Sequence, residues 1–134
     1  MRAIYLVCGL PNAGKTTYSR RFNNVIHGDD LMRLTREERK EIFKATAAEC
    51  IEGVFNKADL RRDVLDSVRH DRRVCVWIDT PTETCIARED RGRFYVVEQH
   101  AAMFEPPTMD EGWDEIIVIG EKENEWKSEN GHER

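Results

Sequence analysis

AIYLVCGLPNAGKTT, residues 3–17, joins a short apolar run to a glycine-rich turn. Ala3–Cys8 is rich in Ile, Leu and Val and is bounded by Gly9 and Pro11, which is the pattern of a strand buried on both faces. Gly9–Thr16 satisfies G-x-x-x-x-G-K-[ST], and a helix is expected to open directly after it. In that setting glycine lets backbone N–H groups close round a phosphate, and the helix start adds partial positive charge. Lys15 then neutralises β- and γ-phosphate oxygens, and the Thr16 hydroxyl is placed for Mg²⁺. Gly9, Leu10, Pro11, Asn12, Ala13, Gly14, Lys15, Thr16 and Thr17 are therefore the expected nucleotide-binding segment, with ATP and Mg²⁺ as its cofactors. A chance match in a turn would not need a buried strand before it and a helix after it.

Outward from this loop, Tyr18 and Phe22 stand four apart and are expected on the core side of the first helix. Val25–Ile26 reads as a second strand, and His27-Gly28-Asp29-Asp30 falls where it runs out into a loop. Open α/β sheets place their ligands at that carboxyl edge, where Asp29 can take the proton of an attacking hydroxyl as a γ-phosphoryl group leaves ATP. An Asp-Asp pair taken alone is more often a helix cap; its place beside the nucleotide loop favours chemistry. Thr35 with Glu38 forms a capping box, and Ile42, Phe43 and Ala47 give the next helix its apolar stripe. Glu49–Phe55 reads as a short strand interrupted at Glu52-Gly53. Asn56 is the expected cap of a helix whose core positions are Leu60, Val64, Leu65 and Val68.

Val74–Ile78 returns as a strand ending at Asp79, followed by Thr80 as cap, Pro81 at the first helical position and Glu83 three residues after the cap. Asp79 ends its strand as a metal-shell acid would, but Thr80-Pro81 gives it the simpler task of shaping the helix entry, and it is not assigned a catalytic role. Arg88, Arg91 and Arg93 have the composition of a lid over phosphates, or equally of a helix end complementing its dipole. Arg61, Arg62, Arg69, Arg72 and Arg73 interleave with Asp63, Asp66 and Asp71 and are expected as solvated ion pairs. Tyr95–Phe104 reads as a helix stopped by Pro106-Pro107, and Ile116–Ile119 as a last strand. Strand and helix alternate from end to end. The expected fold is therefore α/β: a P-loop NTPase fold of three α/β/α layers around a mostly parallel sheet of about five strands.

A chain of 134 residues is one domain's worth, so residues 1–120 are expected to form a single catalytic domain and the charged stretch 121–134 a frayed tail. With 21 basic and 26 acidic residues the net charge is −5, which excludes a protein that holds nucleic acid by bulk attraction alone. A local basic groove is still open to it. No run approaches the ~18 apolar residues of a membrane span, and no signal-peptide pattern opens the chain. The expected setting is the cytoplasm, without a membrane partner, and no residue pattern specifies an oligomeric state. Cys8, Cys50, Cys75 and Cys85 lack C-x-x-C spacing and are expected as reduced, small core residues.

Four stretches in order resemble the polynucleotide 5′-hydroxyl kinases, including the kinase domain of the polynucleotide kinase/phosphatases. They are GLPNAGKTTYSRRF (9–22), HGDD (27–30) with Arg33 beyond it, IDTPTETCIARE (78–89) running into the lid arginines, and FEPPTMDEGWDEIIVI (104–119). The last is the more telling, because Phe104-Glu105-Pro106-Pro107-Thr108 and Glu111-Gly112-Trp113 have no part in generic nucleotide binding. The resemblance implies transfer of the γ-phosphate of ATP·Mg²⁺ to a 5′-hydroxyl end of DNA or RNA. It implies Asp29 as general base, Lys15 and Thr16 on phosphates and metal, and Arg88 and Arg91 as lid residues. Arg33 would contact the acceptor's phosphate, with Asp30 and Glu52 beside it. Where the family has a pattern like D-x-T-N, this chain has Ile51-Glu52-Gly53-Val54-Phe55-Asn56, so either Glu52 replaces that Asp or that wall of the site is rebuilt.

Two other functions fit the same loop. A kinase of this fold can act on a small-molecule alcohol, a nucleoside or a modified base in DNA, and the −5 charge and the absence of a long basic, aromatic-studded stretch favour that acceptor class. A nucleotide-dependent switch ATPase would instead use water as acceptor and a partner protein as output.

Overall fold

Ile4, Leu6 and Cys8 point to one face of β1 (Ala3–Cys8) and Val7 to the other, and all four are buried. The computed structural model describes residues 2–120 and the backbone of 125–128. After β1 the chain runs through α1 (Lys15–Ser19), β2 (Val25–His27), a 3-10 turn at Gly28–Leu31, α2 (Arg36–Ala45), β3 (Cys50–Gly53) and α3 (Ala58–Ser67). It continues through β4 (Arg72–Asp79), α4 (Thr82–Ala87), α5 (Phe94–Met103), a 3-10 turn at Met109–Glu111, β5 (Glu115–Gly120) and β6 (Glu125–Ser128). The sheet order is β2-β3-β1-β4-β5-β6, with the first five strands parallel and β6 antiparallel on the edge. The expected three-layer α/β/α fold with five parallel strands is the one observed. Residues 125–128 extend the sheet where a frayed tail was expected; the rest of that tail lies outside the described residues.

β1 lies at the centre because the chain visits β2, returns to β3 beside β1, and then crosses to β4 on β1's other side. This reversal leaves a crevice at the carboxyl end of β1, the place where an open α/β sheet binds its ligand. One core packs Ile4, Leu6, Ile51 and Cys75 against Phe43 of α2 and Val64 and Leu65 of α3. The other packs Val7, Val74, Val76 and Ile78 against Tyr18 of α1, Cys85 of α4 and Val97 of α5. No helix among the described residues is long and apolar enough to cross a membrane. All four cysteines are free and buried, as expected.

The capping box at α2 is present: Thr35 Oγ1 accepts from Glu38 N at 3.1 Å, and Glu38 Oε1 accepts from Thr35 N at 2.8 Å. Several other local readings are corrected. Ala47 lies beyond α2 and is exposed, while Ala48 enters the core in its place. Leu60 is 38% exposed on the outer side of α3. Asn56 does not cap α3; the first-turn amide of Ala58 is satisfied instead by Glu105 Oε1 at 2.8 Å, from a loop 47 residues away. Thr80 does not cap α4, because its hydroxyl donates to the Ala13 carbonyl at 2.7 Å and Pro81 takes the cap position. The largest correction is Arg61, which is fully buried and not solvated.

Candidate active site

Gly9 turns the chain out of β1 so close to β4 that an added Cβ would stand 2.8 Å from the Ile78 carbonyl oxygen. Asn12, at φ 68°, and Gly14, at φ 109°, then take left-handed backbone, the first tolerable to Asn and the second open to Gly. Those two residues curl the loop tightly enough to enter α1 at Lys15. The loop is fixed from outside. Asn12 Nδ2 donates to Cys85 O at 3.2 Å and Glu89 Oε1 at 2.9 Å, and Thr80 Oγ1 and Arg88 Nη1 donate to the carbonyls of Ala13 and Asn12. With the Asn12 and Ala13 carbonyls held by Arg88 and Thr80, the loop's opposite side is left open. A cleft of about 610 Å³ opens there, lined by Asn12, Ala13, Gly14, Lys15, Thr16, Thr17, Ile78, Thr80, Arg88, Ile119 and Gly120.

Lys15 sits at the floor of this arrangement with Nζ donating to the Leu10 carbonyl at 2.7 Å. Burial lowers its pKa, and the negative charges of Glu52 and Asp29 work against that lowering. One cation thus lies in the field of two carboxylates that arrive from different strands. Glu52 ends β3 directly beside β1, and Asp29 follows β2 in the 3-10 turn. Gly28 lets these strand ends meet, since a Cβ there would lie 3.1 Å from the Glu52 carbonyl oxygen.

Two histidines to which the sequence motifs give no role lie near Glu52 and Lys15. His27 pairs in register with Glu52, and its Nδ1 stands 2.9 Å from Glu52 Oε1. An ionised carboxylate only accepts, so His27 carries its proton on Nδ1. The Glu52 side chain is 10% exposed and that of His27 43%. His100 of α5 has its Nδ1 3.3 Å from Asn56 Nδ2, which can only donate, and neutral His100 therefore keeps its proton on Nε2. Burial, and then the charge of Lys15, lower the His100 pKa. The signal for His27 was its place two residues before Asp29. None pointed to His100, because a lone histidine in a helix pattern carries no spacing rule.

The expected site residues fall into three groups. Asn12–Thr17 and Arg88 line the cleft, while Gly9 and Pro11 shape the loop behind it and Leu10 holds Lys15. Asp29 and Glu52 also lie outside the cleft lining, Asp29 exposed and Glu52 buried, and both act on Lys15 through charge. Asp30, Arg33 and Arg91 are exposed and outside the cleft lining; the Arg91 backbone N–H donates to Glu89 Oε2 at 3.0 Å, which fixes the turn between α4 and α5. Asp79, at the end of β4, borders a smaller cavity of about 220 Å³ beside Trp77 and Phe104, and burial raises its carboxyl pKa.

Among the described residues no cluster of His, Cys, Asp and Glu makes a metal cage. The oxygen set present, an exposed Thr16 hydroxyl beside the cleft, suits Mg²⁺, which keeps several waters and takes much of its coordination from substrate phosphates. Three residues of the FEPPT and EGW segments serve the fold: Glu105 accepts from the first turn of α3, Glu111 holds Arg61, and Trp113 Nε1 donates to Glu111 Oε1 at 3.0 Å.

The fold is similar to that of an unliganded sugar kinase from Janibacter sp. HTCC2649, with a TM-score of 0.65 at 20% identity over 90% of this chain and 85% of that one. No protein-family model matches the chain, and no curated protein sequence matches it.

Proposed function

We propose that this chain is a phosphotransferase that moves the γ-phosphoryl group of ATP to a hydroxyl, and that its acceptor is the 5′-hydroxyl end of DNA or RNA. The observation that carries the reading is a shared sheet edge. Lys15 opens the helix after β1, Glu52 lies near the end of the adjacent β3 and Asp29 follows β2, so a phosphate-loop cation and two carboxylates stand at one carboxyl edge of the sheet. The loop amides and Lys15 bind the β- and γ-phosphates, and Thr16 would hold Mg²⁺, which screens phosphate charge when bound. Asp29 accepts the proton of the acceptor hydroxyl as its oxygen bonds to the γ-phosphorus and the bond from that phosphorus to the ADP oxygen breaks. Arg88 reaches the loop from the lid and meets the charge that spreads over the transferred group. Arg91, Arg33 and Asp30 are assigned to the approach of the acceptor strand, and Glu52, held by His27, to its seating.

A small-molecule alcohol as acceptor is the second reading, favoured by the similarity in fold to a sugar kinase and by the net charge of −5. Labelled ATP, Mg²⁺ and a panel of 5′-hydroxyl oligonucleotides, nucleosides and sugars separate the two. Label on the oligonucleotide supports the proposal, label on a small alcohol alone selects the second reading, and label on neither removes both.

A further inference from the structure

α5 buries only one of its ten residues, Val97, although it is largely apolar. Val96, Val97, His100 and Ala101 face inward or are half-buried, and the outward side carries Phe94, Tyr95, Glu98, Gln99, Ala102 and Met103. Phe94 is 46% exposed and Tyr95 60%, at the end of the helix that meets the lid. A soluble protein gains nothing in folding from two adjacent exposed rings, and such a patch commonly marks a binding surface.

Arg91 and Arg93 precede those rings in the sequence RGRFY, and both are exposed. Neither takes part in an ion pair among the described residues. The two nearest lid acids differ in their engagement. The Glu89 carboxylate accepts from Asn12 Nδ2 and from the backbone N–H groups of Arg91 and Arg93, which lowers its pKa, while Asp90 is exposed. The outward surface therefore pairs two guanidinium groups and two aromatic rings against Asp90 and, one turn along α5, Glu98. Through Asn12 and Arg88 the same segment is tied to the phosphate loop. Two cations followed by two aromatic faces, on a segment bonded to the phosphate loop, match the chemistry of a single strand, whose phosphates take the guanidinium groups and whose bases stack on the rings.

We propose that Arg91, Arg93, Phe94 and Tyr95 form a stacking platform for single-stranded nucleic acid that leads the acceptor hydroxyl to the cleft. This rests on the reading of the acceptor as a nucleic-acid end and names the surface that selects it. It also gives an acidic protein a local way to hold a polyanion.

The test is fluorescence anisotropy of a 3′-labelled, 5′-hydroxyl DNA strand of about twelve nucleotides at roughly 50 mM salt, where phosphate contacts are strong. The 134-residue chain is compared with its Phe94→Ala/Tyr95→Ala and Arg93→Ala forms, and circular dichroism checks that each is folded. The double substitution is expected to weaken binding at least about tenfold, the scale of lost base stacking. An abasic strand of equal length should show little of that difference, and Arg93→Ala should flatten the salt dependence by about one phosphate contact. The double variant's affinity for ATP, measured by calorimetry, should be unchanged. Wild-type binding that the folded variants retain overturns the platform while leaving the nucleic-acid acceptor standing. Loss of ATP affinity in the double variant overturns it in favour of a stack on the donor base, and a dimer that the substitution dissolves overturns it in favour of a second copy. A wild-type chain that phosphorylates a small alcohol but binds no strand removes both the platform and the nucleic-acid reading.

Discussion

Arg61 Nε and Nη2 each donate to one carboxylate oxygen of Glu111 at 2.9 Å, and the arginine is wholly shielded from water. Its Nη1 donates to the Phe55 carbonyl at 2.7 Å, at a residue whose φ of 41° is left-handed. The pair therefore ties α3 and the loop after β3 to the segment before β5. Breaking a buried pair from one side strands a charge, so Glu111→Ala should cost about 3–5 kcal/mol, whereas Arg61→Met with Glu111→Leu should cost far less. Thermal unfolding of the single and double variants checks this, and equal losses in both would mean that the charges themselves matter little.

The same pair predicts an acid limb of stability. Burial pushes the Glu111 carboxyl upward, but hydrogen bonds from Arg61 and Trp113 outweigh it and hold the group below the ordinary glutamate range. Asp63 is held low chiefly by its hydrogen bond from Arg36. A carboxylate whose folded pKa is depressed contributes stability that is fully present above its unfolded value and is lost as pH falls through the folded one. Denaturant midpoints should thus be flat around neutral pH and fall below the ordinary carboxylate range. Glu111→Gln should flatten that fall, and an unchanged acid limb would count against the assignment.

Much of this fold was legible because its decisive elements are local. The β1 run, the loop glycines and the Thr35–Glu38 box each specify their geometry within a few residues. What the sequence hid was satisfied over distance. Arg61 looks like any surface arginine among aspartates, and only Glu111, fifty residues on, makes its burial tolerable. Asn56 and Thr80 have the residue types of caps, yet each was drawn to a more remote partner, His100 and Ala13 respectively. The phosphate-loop motif is contiguous, so its strand, turn and helix could be read. The groups proposed for the acceptor come from the ends of β2 and β3 and from α5, and no local pattern links His27 or His100 to them.

The cysteines should be inert while the protein is folded. Burial pushes the Cys50 thiol up to about 12 and Cys75 well above its usual value. Cys8 and Cys75 lie 3.9 Å apart at sulfur, far beyond the ~2.05 Å of a disulfide. An aromatic disulfide reagent at mildly alkaline pH should therefore react with the native chain only at the rate of opening, and with all four thiols in guanidinium. Fast stoichiometric labelling of the native protein would place at least one thiol at the surface.

Gly9→Ala should damage the loop without touching a ligand contact. The new methyl would meet the Ile78 carbonyl oxygen, a backbone atom that cannot rotate away. About 1–3 kcal/mol of stability should be lost by such overpacking, and ATP affinity should fall as the loop shifts. Thr80→Val tests the loop from the other side: it removes the hydroxyl that holds the Ala13 carbonyl and should weaken ATP binding with a smaller loss of stability. Calorimetric titration of both variants distinguishes a loop defect from global unfolding.

Lys15 and Asp29 should separate binding from chemistry. Lys15→Ala removes the cation that meets the phosphates in both ground and transition states, so ATP affinity and transfer should fall together, transfer by about 10²–10³-fold or more. Asp29→Asn leaves the phosphate loop intact and removes only a proton acceptor. ATP binding should stay within about twofold of wild type while transfer drops ~10²–10⁴-fold, the contribution of a positioned base. Glu52→Gln should behave differently again. It deprives His27 Nδ1 of an ionised partner and Lys15 of its strongest counter-charge, so the Michaelis constant of the acceptor should rise more than the turnover number falls. Single-turnover transfer with saturating ATP resolves the three. If Asp29→Asn kept full activity while Glu52→Gln lost it, the proton would go to the dyad of Glu52 and His27, and the base would sit on the edge of β2 and β3 instead of in the turn that follows.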